Sequence, residues 1–225
     1  MKWVHPSDSH PDKEILGGIL FNEVIRQDFY GVRDFASRHK ENEVHAVVDV
    51  GANVGYFSIL ASCLFPSATR IAIEPAHLTH ELLVENMNGW GVRCVKAALG
   101  DGGRVSLVTD HRTCGSDRFV SDVNGGHVTA RLSEILKRER VPKDGLILKI
   151  DCEGGERWLV DDPELGEWMK GCIYFAAEFH ESESNPKSKW TEWMVRMFSG
   201  CFGREMFIGP DDTGMLLYAY TAERR

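Results

Sequence analysis

Two short stretches of this chain carry side chains whose types and spacing can do chemistry. In the first, Asp49 is followed by Gly51-Ala52-Asn53-Val54-Gly55-Tyr56. Glycine lets backbone approach a ligand with no Cβ in the way. The free N–H groups of a helix that starts just afterwards attract a carboxylate, and the Asp49 carboxylate can hold an ammonium group. Together these features suit the zwitterionic end of an amino-acid-like ligand. In the second stretch, Lys149, Asp151, Glu153 and Glu156 surround the pair Gly154-Gly155, and Glu178 and His180 follow further on. An alcohol is a weak nucleophile, and its attack needs a base within reach of its proton. With an ordinary pKa of about 6.5, His180 suits that task at neutral pH, leaving Asp151 or Glu153 to position the substrate. Asp151, Glu153 and Glu178 are also oxygen ligands for a hard cation such as Mg²⁺, which would lower the acceptor's pKa. No spacing rule enforces a metal, so its ligands stay open.

These groups need a scaffold that brings strand ends together. Ala46–Val50 reads as a buried strand and Tyr56–Leu64 as a helix after the Gly-rich turn. Strands are expected at Arg70–Ile73, Arg93–Ala98, Val105–Thr109, Leu146–Ile150 and Cys172–Phe179, with helices at His77–Trp90, Thr129–Glu139, from Glu156 and at Lys187–Phe198. Two last strands, Glu205–Ile208 and Met215–Tyr220, lie too close for a helical crossover and should pair antiparallel. The pattern predicts a doubly wound α/β fold, a mostly parallel seven-stranded Rossmann-like sheet with an antiparallel C-terminal strand, in one domain. Residues 1–40 form a loose or helical N-terminal segment and residues 41–225 the domain itself; the polar stretch His111–Gly126 reads as the least structured part.

In such sheets ligands bind beyond the carboxyl ends of the strands. Glu74 closes the second strand, where an acid can accept both hydroxyls of a ribose, and Pro75 follows it. Ala97-Ala98-Leu99-Gly100-Asp101 offers a small apolar slot for adenine at Ala98 and an acceptor, Asp101, for its amino group. NAD is the rival ligand, but its fingerprint is G-x-G-x-x-G. Here Asn53 holds the third position and the spacing is G-x-x-x-G. The expected ligand is therefore S-adenosylmethionine, held by Asp49, Gly51, Asn53, Gly55, Tyr56, Glu74, Pro75, Ala98, Asp101 and Asp151.

Three stretches, VVDVGANVGYFSIL, Glu74-Pro75 and LKIDCEGGERWL, resemble the FkbM-type methyltransferases, a branch of the class I S-adenosylmethionine enzymes. The last is similar to that family's K-x-D-x-E-G-x-E signature, here Lys149, Asp151, Glu153, Gly154 and Glu156. NEVIRQDFYGV upstream and AAEFHE downstream look similar to the flanks of that core, so the likeness extends over residues 20–220. Cys152 stands where a branched apolar residue is more usual, and Gly155 where alanine often occurs. The resemblance implies O-methylation of a hydroxyl on a sugar, polyketide or other small molecule. N-, protein or RNA methylation, a non-catalytic partner that binds the methyl donor, and a dinucleotide oxidoreductase are the alternatives.

Several of these residues also have plain structural readings. Glu178 and His180 alternate along a strand end, which puts them on one face whatever their role. Lys149 can simply pair with a carboxylate, and Glu153 and Glu156 suit the first turn of a helix. Trp158, Trp168, Trp190 and Trp193 read as packing residues, while Glu23 and Tyr30 are candidates for the substrate side. The chain has 225 residues and a net charge of −8, which disfavours a phosphate backbone as partner. No apolar run approaches the roughly 20 residues that span a bilayer, and the N-terminus has no apolar core of a secretory signal, so a cytoplasmic location is expected. The six cysteines are scattered without a C-x-x-C pair, which favours reduced thiols over disulfides or zinc. Oligomeric state is not encoded in any of these patterns.

Overall fold

The computed structural model describes residues 18, 21–108, 118–122, 124–180, 192–193, 204–210 and 215–221. Strands β1 (Ala46–Val50) and β8 (Leu146–Ile150) are buried along their whole length, as central parallel strands covered on both faces must be. Before β1 lies α1 (Val32–Arg38), and between β1 and β8 lie α2 (Tyr56–Leu64), β2 (Thr69–Ile73), α3 (His77–Asn86), β3 (Val92–Val95), β4 (Ala98–Leu99), β5 (Arg104–Val108), β6 (Arg118–Ser121), β7 (His127–Ala130) and α4 (Leu132–Arg138). After β8 come α5 (Arg157–Val160), α6 (Gly166–Met169), β9 (Cys172–Phe179), β10 (Arg204–Pro210) and β11 (Met215–Thr221). A π-helical turn, Phe21–Arg26, precedes α1.

The main sheet has the order β10-β11-β9-β8-β1-β2-β3. Its five strands from β9 to β3 run parallel, and β11 joins β9 antiparallel, with β10 antiparallel to β11. From β1 the chain winds outward to β2 and β3, then returns to β8 on the other side. The switch point therefore lies between β1 and β8.

Side-chain alternation on these strands builds a core on each face. Val48, Val50, Leu146, Leu148 and Ile150 pack with Leu132, Ile135, Leu159 and Trp168 on one side. Val47 and Ile147 point the other way, into a cluster with Phe35, Tyr56, Phe57, Phe65 and Tyr174. Phe35 and Tyr30 put part of the N-terminal segment inside this second core.

The stretch between β3 and α4 departs from the sequence reading. Strand β3 ends at Val95, and Ala98–Leu99 belongs instead to a second sheet of order β4-β7-β5-β6. Arg118–Ser121, read from sequence as irregular, is strand β6 and pairs antiparallel with β5. Thr129, read as the start of a helix, lies in β7, where its N–H and hydroxyl donate to the Gly103 carbonyl at 2.9 and 3.0 Å. A β-branched residue fits that pleated setting, and α4 starts only at Leu132. Helix α3 stops at Asn86, short of Trp90, because the chain turns through Gly89 and Gly91 at φ 84° and 67°. The helix expected at Lys187–Phe198 lies outside the described residues apart from residues 192–193, which are helical.

Candidate cofactor and active site

At the switch point the loop after β1 passes directly under the turn after β8. Gly51 adopts φ 70°, and a Cβ there would lie 1.6 Å from the Asp151 carbonyl oxygen. Gly55 adopts φ 100°, and a Cβ would lie 2.5 Å from Cε of Met87, the residue just after α3. Both glycines are demanded by close approach as well as by backbone conformation. Asn53 takes a left-handed conformation, φ 50°, which Asn tolerates better than most residues. Its side-chain oxygen accepts the Val54 N–H at 2.8 Å, and its own N–H donates to Glu74 Oε2 at 3.0 Å. Tyr56 is buried as the first residue of α2.

Glu74 sits at the end of β2, 8% exposed, with Oε1 accepting the Ala76 N–H at 2.9 Å. Burial pushes its carboxyl up to about 7, against those two N–H groups and the charge of Lys149. A crevice opens beside it, lined by Gly51, Pro75, Ala97, Ala98, Leu99 and Val105, and closed by residues 152–155, Arg157 and Trp158. Ala97, Ala98, Leu99 and Val105 give it an apolar wall. Asp101 is exposed, is not among the lining residues, and turns Oδ1 to the Gly103 N–H of its own loop at 3.0 Å. Trp158, read from sequence as a packing residue, belongs to the crevice wall, whereas Trp168 is buried in the core.

Asp49 differs from its expected role. It is 1% exposed, its Oδ2 accepts the Ser58 hydroxyl at 2.7 Å, and its Oδ1 lies 3.2 Å from the Lys149 ammonium. The cation beside Asp49 belongs to the protein, and this carboxylate lies beneath the loop.

The turn after β8 gathers the acids. Asp151 Oδ2 accepts the Tyr30 hydroxyl at 2.6 Å. Glu156 is fully buried and clamps the turn, accepting the Cys152 and Gly154 N–H groups at 2.9 Å each. Glu153 stands at φ 52°, a strained conformation for a residue with a long side chain. His180 lies among three carboxylates, with Nδ1 3.3 Å from Glu156 and Nε2 3.5 Å from both Glu153 and Glu178. Burial pulls its pKa down, but these carboxylates outweigh burial and push it up to about 11. His180 is thus an imidazolium at neutral pH, a donor, which corrects the expectation that it serves as base. Glu153 moves the opposite way. Desolvation raises its carboxyl to about 7 despite the pull of His180. Of the two groups, Glu153 is the one that titrates near neutral pH. Glu23, on the π-helical turn, has its carboxyl raised by burial and by the charge of Glu178, so the N-terminal segment also faces this cluster.

Asp151, Glu178 and His180 bring ligand atoms within 4.8 Å of one another. A cation such as Mg²⁺ entering there would first have to displace the His180 proton, because the imidazolium already balances the carboxylates. Lys149 pairs with a carboxylate, as its plain structural reading has it, whereas Trp158 lines the crevice. The Glu153-Gly154-Gly155 run was the available signal that this turn leaves ordinary helix geometry, and Gly154 adopts φ 96°. Cys63, Cys94, Cys152 and Cys172 are free thiols among the described residues. No helix among the described residues is long and apolar enough to cross a membrane.

No protein-family model matches the chain. A curated relative, methyltransferase sdnD of Sordaria araneosa, is 23% identical over 192 residues, covering 69% of this chain and 72% of its own length. Among solved structures, methyltransferase FkbM from Methylobacillus flagellatus KT superposes with a TM-score of 0.52 at 14% identity, over 79% of this chain. The chain spans 44% of that protein's length. Precorrin-6y C5,15-methyltransferase from Geobacter metallireducens aligns over 98% of this chain and 95% of its own, with a TM-score of 0.48 and 10% identity. The chain has the Rossmann-like fold of the methyltransferases.

Proposed function

We propose that this chain is an S-adenosylmethionine-dependent methyltransferase of the FkbM type that methylates a hydroxyl on a small molecule or sugar. One observation carries the reading. The crevice that starts at Gly51 and Pro75 is lined at its other side by Glu153, so an apolar wall at the strand ends and a carboxyl raised to about 7 share one crevice. The residues fit the methyl donor: Glu74 as ribose acceptor, Ala98 and Leu99 against adenine, and the loop from Gly51 to Gly55 along its amino-acid end. When bound, S-adenosylmethionine supplies an electrophilic methyl group. Glu153 takes the hydroxyl proton on its carboxylate as the acceptor attacks, and a pKa near the working pH suits that transfer. The His180 imidazolium, 3.5 Å from Glu153 Oε2, holds the base in place and stabilises its charge. Tyr30, Asp151, Glu178 and Glu23 line the acceptor side as donors and acceptors for neighbouring hydroxyls.

Calorimetric titration with S-adenosylmethionine, S-adenosylhomocysteine and NAD, with and without Mg²⁺, tests this reading. Binding of both sulfur nucleosides is expected, weakened in Glu74→Ala. Binding of NAD alone overturns the assignment. Labelled donor offered with candidate hydroxyl compounds then tests turnover. Activity undiminished in Glu153→Gln would favour N-methylation, which has less need of a base, and binding with no turnover on any acceptor would favour a non-catalytic partner.

A further inference from the structure

Lys149 is 4% exposed at the point where β1 and β8 end. It is the register partner of Asp49, so the two side chains lie on the same face of adjacent parallel strands. A buried ammonium is costly unless every N–H finds an acceptor. Its Nζ donates to the Gly51 carbonyl at 2.9 Å and the Val50 carbonyl at 3.4 Å, and forms an ion pair with Asp49 Oδ1 at 3.2 Å. Asp151 Oδ2 lies 3.8 Å away, and the Tyr30 ring centroid 5.2 Å. Both acceptors are backbone carbonyls where β1 runs into the cofactor loop. A lysine present only to neutralise Asp49 would have no need of them.

The geometry points to Lys149 as a positioning residue for the methyl donor: its ammonium ties the Gly51 end of the cofactor loop to the Asp151 turn, and it takes the place beside Asp49 that a ligand ammonium would otherwise occupy. This inference rests on the proposed methyl-donor reading. The Gly51 carbonyl is held from the protein side, and the N–H groups of residues 51–55 all find acceptors within the protein, so the loop keeps its course before ligand arrives. The amino-acid end of the donor is then met by Asp151, with Asp49 acting only through Lys149.

The test compares the full chain with Lys149→Met and with the double variant Asp49→Asn/Lys149→Met, using calorimetry with S-adenosylhomocysteine and thermal melting. The single variant leaves Asp49 buried without its cation and should melt lower. The double variant removes both charges and should recover most of that loss. Its affinity should nevertheless stay about 100-fold below wild type, because the ties to Gly51 and Val50 are gone. A double variant that binds within a few-fold of wild type overturns the inference and leaves Lys149 as a charge balance for Asp49. Should the double variant not fold, Lys149→Gln serves in its place, since its amide keeps a donor toward Gly51 without the charge. An affinity loss of roughly 10-fold is then expected, and wild-type affinity overturns the inference. A wild-type chain that binds neither nucleoside instead overturns the methyl-donor reading itself.

Discussion

Gly51→Ala probes the crossing of the cofactor loop and the Asp151 turn most directly. The new methyl would lie 1.6 Å from the Asp151 carbonyl oxygen, 2.6 Å from its carbon and 3.1 Å from Cys152 Cα. Ordinary contact begins at 3.4 Å, so the two segments must part by about 1.8 Å. The hydrogen bond from Asp151 N–H to the Val50 carbonyl, 3.0 Å long, and the tie from Lys149 to the Gly51 carbonyl lie in the path of that movement. Holding alanine at positive φ costs about 1–2 kcal/mol, overpacking about 1–3 kcal/mol and each strained hydrogen bond about 1 kcal/mol. The expected loss is about 4–7 kcal/mol, or a melting temperature lower by roughly 10–30 °C for a chain of this size. Gly154→Ala is the control, since Gly154 has φ 96° with nothing within 4 Å of its Cβ position. It should lose only about 1–2 kcal/mol. Urea unfolding of both variants, with S-adenosylhomocysteine titrations of the folded fraction, measures the difference. Equal losses in the two variants would refute the close-approach argument, as would wild-type nucleoside affinity in Gly51→Ala.

Glu153→Gln should lower kcat by about 100-fold or more and remove the acid limb near pH 7 from the pH–rate profile; a limb that survives in kcat assigns the base elsewhere. Glu74 also titrates near 7, and its protonation should appear in the KM for the donor. His180 has a folded pKa of about 11 against an ordinary 6.5. The stability it contributes is present in full below pH 6.5 and is lost as pH rises toward 11. The urea midpoint should therefore fall less between pH 7 and 10 in His180→Gln than in wild type, and parallel curves would remove the ion-pair argument. Trp158→Ala should weaken S-adenosylhomocysteine binding by roughly 10-fold and abolish most of the fluorescence quenching on binding; unchanged quenching would take Trp158 out of the crevice wall.

Much of the frame was legible because buried parallel strands are continuous apolar runs with few alternatives. Ala46–Val50, Leu146–Ile150 and Cys172–Phe179 are read from sequence with the same bounds that they have in the fold. Of the second sheet only β5 was legible, read as Val105–Thr109. The other strands, β4, β6 and β7, are two to four residues long, so local pattern favours neither strand nor coil. The site divides the same way. Glycine spacing and an acid at a strand end are local facts, and they suffice to expect a nucleoside-type ligand at Gly51 and Glu74. Which acid keeps a proton is decided by distance and desolvation. Three carboxylates around His180 push its pKa up to about 11, and burial raises the Glu153 carboxyl to about 7.

The residues able to hold a methyl donor, and the strand ends that carry them, were written in the order of residue types along the chain. The partner of Asp49 was not, because Lys149 reaches it only when two strands a hundred residues apart in sequence lie side by side. Charge state and access at a buried site depend on every neighbour within a few ångströms, and only the tertiary structure chooses those neighbours.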